Sequence, residues 1–237
     1  CAGVAQKPGE SRLDLLQRNA AVFRSIVGPV TESGFNGLFL VATNPVDIMT
    51  RIACALSGFN PRRVLGSGTA LDTARLRYLL GDYFSVDPRN MHAYVIGEHG
   101  DSEFVPWSQA MMATKPILSL CEETGLCEYA DLETIAAEVR GAAQKIIKAK
   151  RATYYGIGMA LVRITKAVFG NENSVLTVSA MLRGEYGENG VYVGVPCIVN
   201  RRGVRKVLTL SLSDEEAKRF RDSCQTLQES YAELRLE

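Results

Sequence analysis

The stretch that most restricts the fold is Gly37-Leu38-Phe39-Leu40-Val41-Ala42, an unbroken apolar run followed at once by Thr43-Asn44-Pro45-Val46-Asp47. A short run with no polar residue on either face reads as a strand buried on both sides, as in a parallel sheet covered by helices. Its carboxyl end is then the place where open α/β sheets hold ligands, and that is where Asn44 falls. Helical patterns flank it. Residues 11–27 carry Leu13, Leu16, Ala20, Val22, Phe23 and Ile26 roughly on one side, Glu32-Ser33-Gly34 punctuates, and a second helix is expected from Val46 to Leu56. With the short strand Arg63-Val64-Leu65-Gly66, these segments read as the second half of a doubly wound α/β sheet.

Downstream, a helix is expected from Leu71 to Tyr83 and a strand over Met91–Ile96. Further strand regions are expected from Phe104 and over 113–120. A long helix should span 131–150, and the run 151–158 should then change face and continue as another apolar helix to Phe169. Residues 173–181 and 190–200 read as strands, with 203–208 as a hairpin partner, and Ser213-Asp214-Glu215-Glu216 caps a final helix. Charge excludes some functions: 27 basic against 26 acidic residues, interleaved, leave no nucleic-acid or membrane-surface footprint. No apolar run approaches the ~20 residues of a spanning helix, and no signal-peptide pattern opens the chain. The six cysteines form no Cys-x-x-Cys pair and are expected to be buried thiols in a reducing compartment, with neither disulfides nor metal ligands among them.

The chemistry concentrates around a histidine. Only His92 and His99 occur, and His99 lies in Gly97-Glu98-His99-Gly100-Asp101-Ser102, a glycine-bounded turn after the expected strand. An imidazole held there is well placed to give and take a proton near neutral pH. Upstream, Gly66-Ser67-Gly68-Thr69-Ala70-Leu71-Asp72-Thr73-Ala74-Arg75-Leu76-Arg77 opens a helix, with Thr69 as the expected N-cap and Asp72 near the positive end of the helix dipole. Asp72 and Arg75, spaced i and i+3, share one face. Asp72 can orient an imidazolium and Arg75 can fork onto a carboxylate. Arg77 lies about 200° round from Arg75 and must serve something else. His92 and His99, an odd number of residues apart, would face opposite ways along a strand.

These two motifs, in this order and spacing, closely resemble those of the L-lactate dehydrogenases of the L-lactate/L-malate dehydrogenase superfamily. The resemblance runs over essentially the whole chain. It implies the C-terminal half of a Rossmann-type doubly wound sheet over residues 1–66, followed by an α+β substrate and catalytic domain over 67–237. It implies NAD as cofactor and reversible reduction of pyruvate to L-lactate, with His99 as acid and base, Asp72 its partner and Arg75 on the substrate carboxylate. Residues 1–12 then look like the mobile loop that closes over substrate, with Gln6 at the specificity position and Arg12 polarising the ketone. A neutral Gln6 suits a methyl ketone, where a malate-specific relative would want an arginine. Asn44 lies near nicotinamide and substrate, Thr153 lines the substrate pocket and Ile157 packs on the nicotinamide. Arg77 and His92 match an intersubunit site for fructose 1,6-bisphosphate, an activator of many bacterial members. A cytoplasmic homotetramer is implied as well.

Two features leave other readings open. The sequence contains no Gly-x-Gly-x-x-Gly diphosphate loop and starts at Cys1, so an N-terminally incomplete chain is expected. L-malate or another 2-hydroxy acid is the alternative substrate, and a truncated, non-catalytic subunit is the alternative role.

Overall fold

A computed structural model describes residues 3–4 and 12–234, with side chains from residue 14 onward in the second segment. In chain order the elements are α1 (Arg12–Glu32), β1 (Phe39–Val41), α2 (Val46–Ser57), β2 (Val64–Gly66), α3 (Ala70–Tyr83), β3 (Met91–His92), β4 (Met111–Met112), β5 (Lys115–Pro116) and α4 (Ile117–Thr124). Then follow α5 (Tyr129–Lys150), α6 (Tyr155–Phe169), β6 (Ser174–Arg183), β7 (Asn189–Asn200), β8 (Gly203–Val207) and α7 (Asp214–Ala232).

The strands make a five-stranded sheet in the order β1-β2-β6-β7-β8 and a three-stranded sheet β3-β4-β5. Strands β1 and β2 run parallel, as the apolar run of residues 37–42 required, and every other pairing is antiparallel. The two parts meet at one register point, Gly66 opposite Ser179. The parallel β1–β2 pair and the antiparallel meander thus share a single mixed sheet, which crosses the boundary expected between residues 66 and 67. Tyr192, fully buried on β7, ties the junction, its hydroxyl 3.3 Å from the carbonyl oxygens of both Pro61 and Val64.

Two apolar cores follow. One packs α1, α2 and α7 on the mixed sheet through Phe23, Ile52, Leu65, Val178, Val193 and Phe220. The other gathers Leu76, Leu80, Met91, Trp107, Ile117 and Leu132 from α3, α4, α5 and the small sheet. Local signals set the helix limits. α2 stops where Gly58 turns left-handed (φ 63°) and donates to the Cys54 carbonyl, and α7 begins with reciprocal Ser213–Glu216 capping. Among the described residues no helix is long and apolar enough to cross a membrane.

Four expectations need correction. The strand expected over 91–96 pairs only at Met91 and His92 and survives beyond them as single bridges, Ile96 to Phe104 and Gly97 to Gly194. The region from Phe104 pairs at that one bridge and then curls into a 3-10 turn at Trp107–Gln109, because Pro106 offers no N–H to a ladder. Residues 113–120 are mostly helix: Ile117, Leu120 and Cys121 are buried at helical spacing on α4. Finally, Cys121 and Cys127 form a disulfide, because left-handed Gly125 (φ 64°) reverses the chain between them and brings their Cα atoms to 4.9 Å. Cys54, Cys197 and Cys224 are buried free thiols, as expected.

Candidate active site

Asp72 sits in the first turn of α3, its side chain 3% exposed, and its Oδ2 lies 2.7 Å from His99 Nδ1. Its other oxygen accepts from Arg75 Nη1 at 3.3 Å, so the i, i+3 pair does share a face. The structure thus brings together the three residues singled out from the two motifs. The expected N-cap is different. Thr69 occupies that position, but its hydroxyl donates to the Val95 carbonyl at 2.6 Å, while the Val95 N–H donates to Thr73 Oγ1 at 2.9 Å. Two threonine side chains therefore satisfy the Val95 backbone in place of a neighbouring strand, and the third, Thr177 on β6, contacts Thr73 Oγ1 at 2.9 Å. This clasp holds the segment that leads to His99.

Beyond it, Gly97 adopts φ 99°, and paired 3.0 Å bonds with Gly194 fasten the turn to β7. Helix α7 holds it from another side: Ser223 Oγ accepts the Glu98 N–H at 2.8 Å and lies 2.9 Å from Ser102 Oγ, which donates to Glu98 Oε2. The His99 N–H donates to Asp47 Oδ2 at 2.8 Å. Asp47 is fully buried on α2, three residues after Asn44, so one carboxylate couples the β1 carboxyl end to the histidine turn.

Sequence reasoning missed Asp47 and Glu103. The buried Glu103 carboxylate approaches His99 Nδ1 to 3.9 Å, making three carboxylates near one imidazole. Burial works against a charged ring, yet the hydrogen bond and charge of Asp72, with the charges of Asp47 and Glu103, outweigh it and raise His99 to about 9. Burial lifts Asp47 to about 6, moderated by neighbouring hydrogen bonds, that of the His99 N–H among them. Burial first, and then the Asp72 charge, raise Glu103 as well. His99 is therefore cationic at neutral pH while its side chain keeps 26% exposure. Asp72, His99 and Glu103 place ligand atoms within 4.8 Å of one another, but an imidazolium whose Nδ1–H is given to Asp72 has no lone pair there for a metal ion. The 2.7 Å Asp72–His99 contact is a hydrogen bond in its own right. Two signals could have found the missed acids: Asp47 is the one acidic residue of α2, directly after the Asn44-Pro45-Val46 turn, and Glu103 follows His99 by four.

Asn44 is exposed at the end of β1, after which the Asn44–Pro45 peptide is cis. Thr153 and Ile157 are half-buried around the start of α6. That start adjoins the site, since a β-carbon on Gly156 would lie 3.3 Å from Leu71 and 3.9 Å from Arg75 Nη2. Arg77 points elsewhere: its Nε donates to the Ala93 carbonyl at 3.0 Å and its guanidinium covers the Tyr94 ring, while His92, the residue before Ala93, is exposed. Arg12 is the first residue of α1, but its side chain lies outside the described residues, as does all of Gln6.

The lactate/malate dehydrogenase NAD-binding domain matches residues 1–66, and the α/β C-terminal domain of the same family matches residues 69–235. The L-lactate dehydrogenase of Geobacillus stearothermophilus is 58% identical over 227 residues, which are 96% of this chain and 72% of that protein. L-lactate dehydrogenase 2 of Bacillus anthracis is 52% identical over 98% of this chain and 74% of its own length. The crystal structure of the minor L-lactate dehydrogenase from Enterococcus mundtii in its ligands-bound form superposes with a TM-score of 0.97 at 48% identity, covering 100% of this chain and 75% of that one. The chain belongs to the lactate/malate dehydrogenase family.

Proposed function

We propose that this protein carries out the L-lactate dehydrogenase reaction, the NAD-dependent interconversion of pyruvate and L-lactate, with His99 as its acid and base. The observation that carries this reading is the 2.7 Å pairing of His99 with buried Asp72 beside Arg75, in a chain 58% identical to an L-lactate dehydrogenase.

With Nδ1–H donated to Asp72, the protonated ring has Nε2–H left to hydrogen-bond a ketone oxygen and pass it a proton in reduction. In the reverse direction the neutral ring takes the proton back from the alcohol. Among the described residues Arg75 gives a single bond, to Asp72, which leaves guanidinium N–H groups to clasp the substrate carboxylate as a fork. Thr153 lines the pocket. Arg12, at the first position of α1, polarises the ketone, and Gln6 selects a methyl group over a second carboxylate. The residues present fit the nicotinamide end of NAD: Asn44 is exposed at the carboxyl end of β1, and half-buried Ile157 stands on α6 beside a glycine that leaves the Arg75 face open. Bound there, NAD supplies the hydride chemistry. In this reading residues 1–66 form the nucleotide side and 67–237 the substrate side.

Three finer assignments belong to the same proposal. Arg77 and His92 bind fructose 1,6-bisphosphate as an activator, a reading supported by the Arg77 bond to the backbone of Ala93, the residue after exposed His92. The protein is a homotetramer, supported by an uncovered apolar face on α6. It works in the cytoplasm, where fractionation should find it.

The test is oxidation of NADH with pyruvate or oxaloacetate, with and without the bisphosphate. Pyruvate turnover that the bisphosphate stimulates, and that Arg77→Gln leaves unstimulated, supports both sites. Turnover indifferent to the bisphosphate removes the activator site alone. A preference for oxaloacetate overturns the substrate, and no turnover with either overturns the enzyme in favour of a non-catalytic subunit.

A further inference from the structure

At the far end of β2 from Gly66 lies a cavity of about 420 Å³ lined by Arg62, Arg63, Arg202 and Arg205 together with Asn60, Asn171 and Asn200. Two distant segments build it. Arg62 and Arg63 come from the 3-10 turn Pro61–Arg63 before β2, and Arg202 and Arg205 from the hairpin joining β7 to β8. Gly203 lets them meet: it adopts φ 90°, and a β-carbon there would collide with the Arg62 carbonyl oxygen.

The lining offers donors. Asn60 Oδ1 accepts the Arg62 N–H at 3.0 Å, Asn171 Oδ1 accepts the Arg201 N–H at 3.3 Å, and Asn200 Oδ1 accepts the Arg202 N–H at 2.9 Å. With their oxygens engaged by the backbone, Asn60 and Asn171 have amide N–H groups left to present. Arg63 is fixed in place, donating twice to the Gly37 carbonyl (3.1 and 2.6 Å) and stacking on Phe59. Arg205 gives one N–H to Asn173 Oδ1 at 3.3 Å. Among the described residues no carboxylate lines the cavity, and none of the four arginines is in an ion pair. Four guanidinium groups share this lining with no carboxylate among them, Glu185 standing in an adjoining cleft with Arg62 and Arg205, and they form a local field that attracts anions.

We propose that this cavity is a binding site for a small anion bearing two phosphoryl groups, a diphosphate or an organic bisphosphate, separate from both His99 and Arg77. The forked donors of arginine match phosphoryl oxygens two at a time, and a cavity of this volume exceeds what one phosphate fills.

Calorimetric titration of the full chain with inorganic pyrophosphate at fixed ionic strength tests it. A saturable site additional to any at Arg77 is expected. It should weaken by at least about tenfold in Arg62→Gln/Arg202→Gln and persist in Arg77→Gln. Both replaced residues are exposed, so circular dichroism and melting should match the parent, and Arg202→Glu, a single charge reversal, provides a second variant expected to weaken binding. Undiminished affinity in these variants, loss of binding in Arg77→Gln, or a heat no greater than that of potassium chloride at equal ionic strength would overturn the site.

Discussion

The carboxylate 2.7 Å from His99 decides the pH at which this residue releases its proton. Burial alone would push the ring below its usual 6.5, and Asp72 first, then Asp47 and Glu103, carry it to about 9. Pyruvate reduction, which needs the protonated ring, should hold its rate through neutrality and fall above about pH 9 in the free enzyme, whereas lactate oxidation should climb towards that pH. Replacing Asp72 with Asn should move both limbs to lower pH. Asp47→Asn should move them in the same direction by less, because its oxygen still accepts the His99 N–H while its charge is gone. His99→Gln should lower turnover by about 10²–10⁴-fold with the melting curve retained; near-parental turnover would refute the role. The linkage has a definite sign. A base whose folded value is raised contributes stability in full below about 6.5, and loses it as the pH climbs through about 9. The melting difference between parent and Asp72→Asn should therefore shrink above pH 9, a trend a thermal scan at several pH values reads directly. Asp72, Arg75 and His99 were legible because two short motifs carry them. Asp47 was not, because its bond to the His99 backbone spans 52 residues of sequence, and only the packing of α2 against the turn creates it.

At the scale of elements, long periodic segments were readable and short ones were not. Helices α2, α5 and α7 and the strands β6 and β7 stand close to where periodicity and caps put them. The strands β3, β4 and β5 are two residues each, too short for a period to register, and α4 took a strand's place because the short stretch Ile117-Leu118-Ser119-Leu120 supports either reading. The threonine clasp is the clearest case of tertiary context overriding local preference. Thr69 gives up capping to bond Val95, leaving α3 without a side-chain cap, and in return the approach to His99 is fixed. Thr73→Val should leave the buried Val95 N–H unpaired and cost about 1–3 kcal/mol, measurable by urea unfolding. Turnover should fall beyond what the population of folded protein explains, since the turn that presents His99 loses an anchor. A variant with unchanged stability would show that a water or a shifted side chain replaces the hydroxyl. At the other core, Cys121→Ser should cost about 2 kcal/mol, the typical lower end for opening a short disulfide loop, and leave the His99 limb of the pH profile in place.

For the molecule as a whole, the mixed sheet covers its apolar faces with α1, α2 and α7, while α6 keeps a face open. Tyr155, Met159 and Phe169 are 79%, 67% and 77% exposed, and Val162 is exposed beside them. At 100° per residue these four span about 80° of the helix, a shared stripe that exposed Lys166 also occupies between Val162 and Phe169. Large contiguous apolar surface on a globular domain marks a contact with another chain. The partner proposed is a second copy, which would bring α6, and with it Thr153 and Ile157, under the control of the interface. Met159→Glu/Val162→Glu places two charges in the stripe without touching the buried side of α6, where Ala160, Ile164 and Ala167 pack. Light scattering after gel filtration should find the parent at four times the chain mass and the variant as smaller species with unchanged circular dichroism. Activity should fall with the assembly, because Ile157 shares its helix with the stripe. A parent that already elutes as a monomer would overturn the tetramer. A variant that stays assembled would show that another face holds it, leaving α6 open for a different purpose.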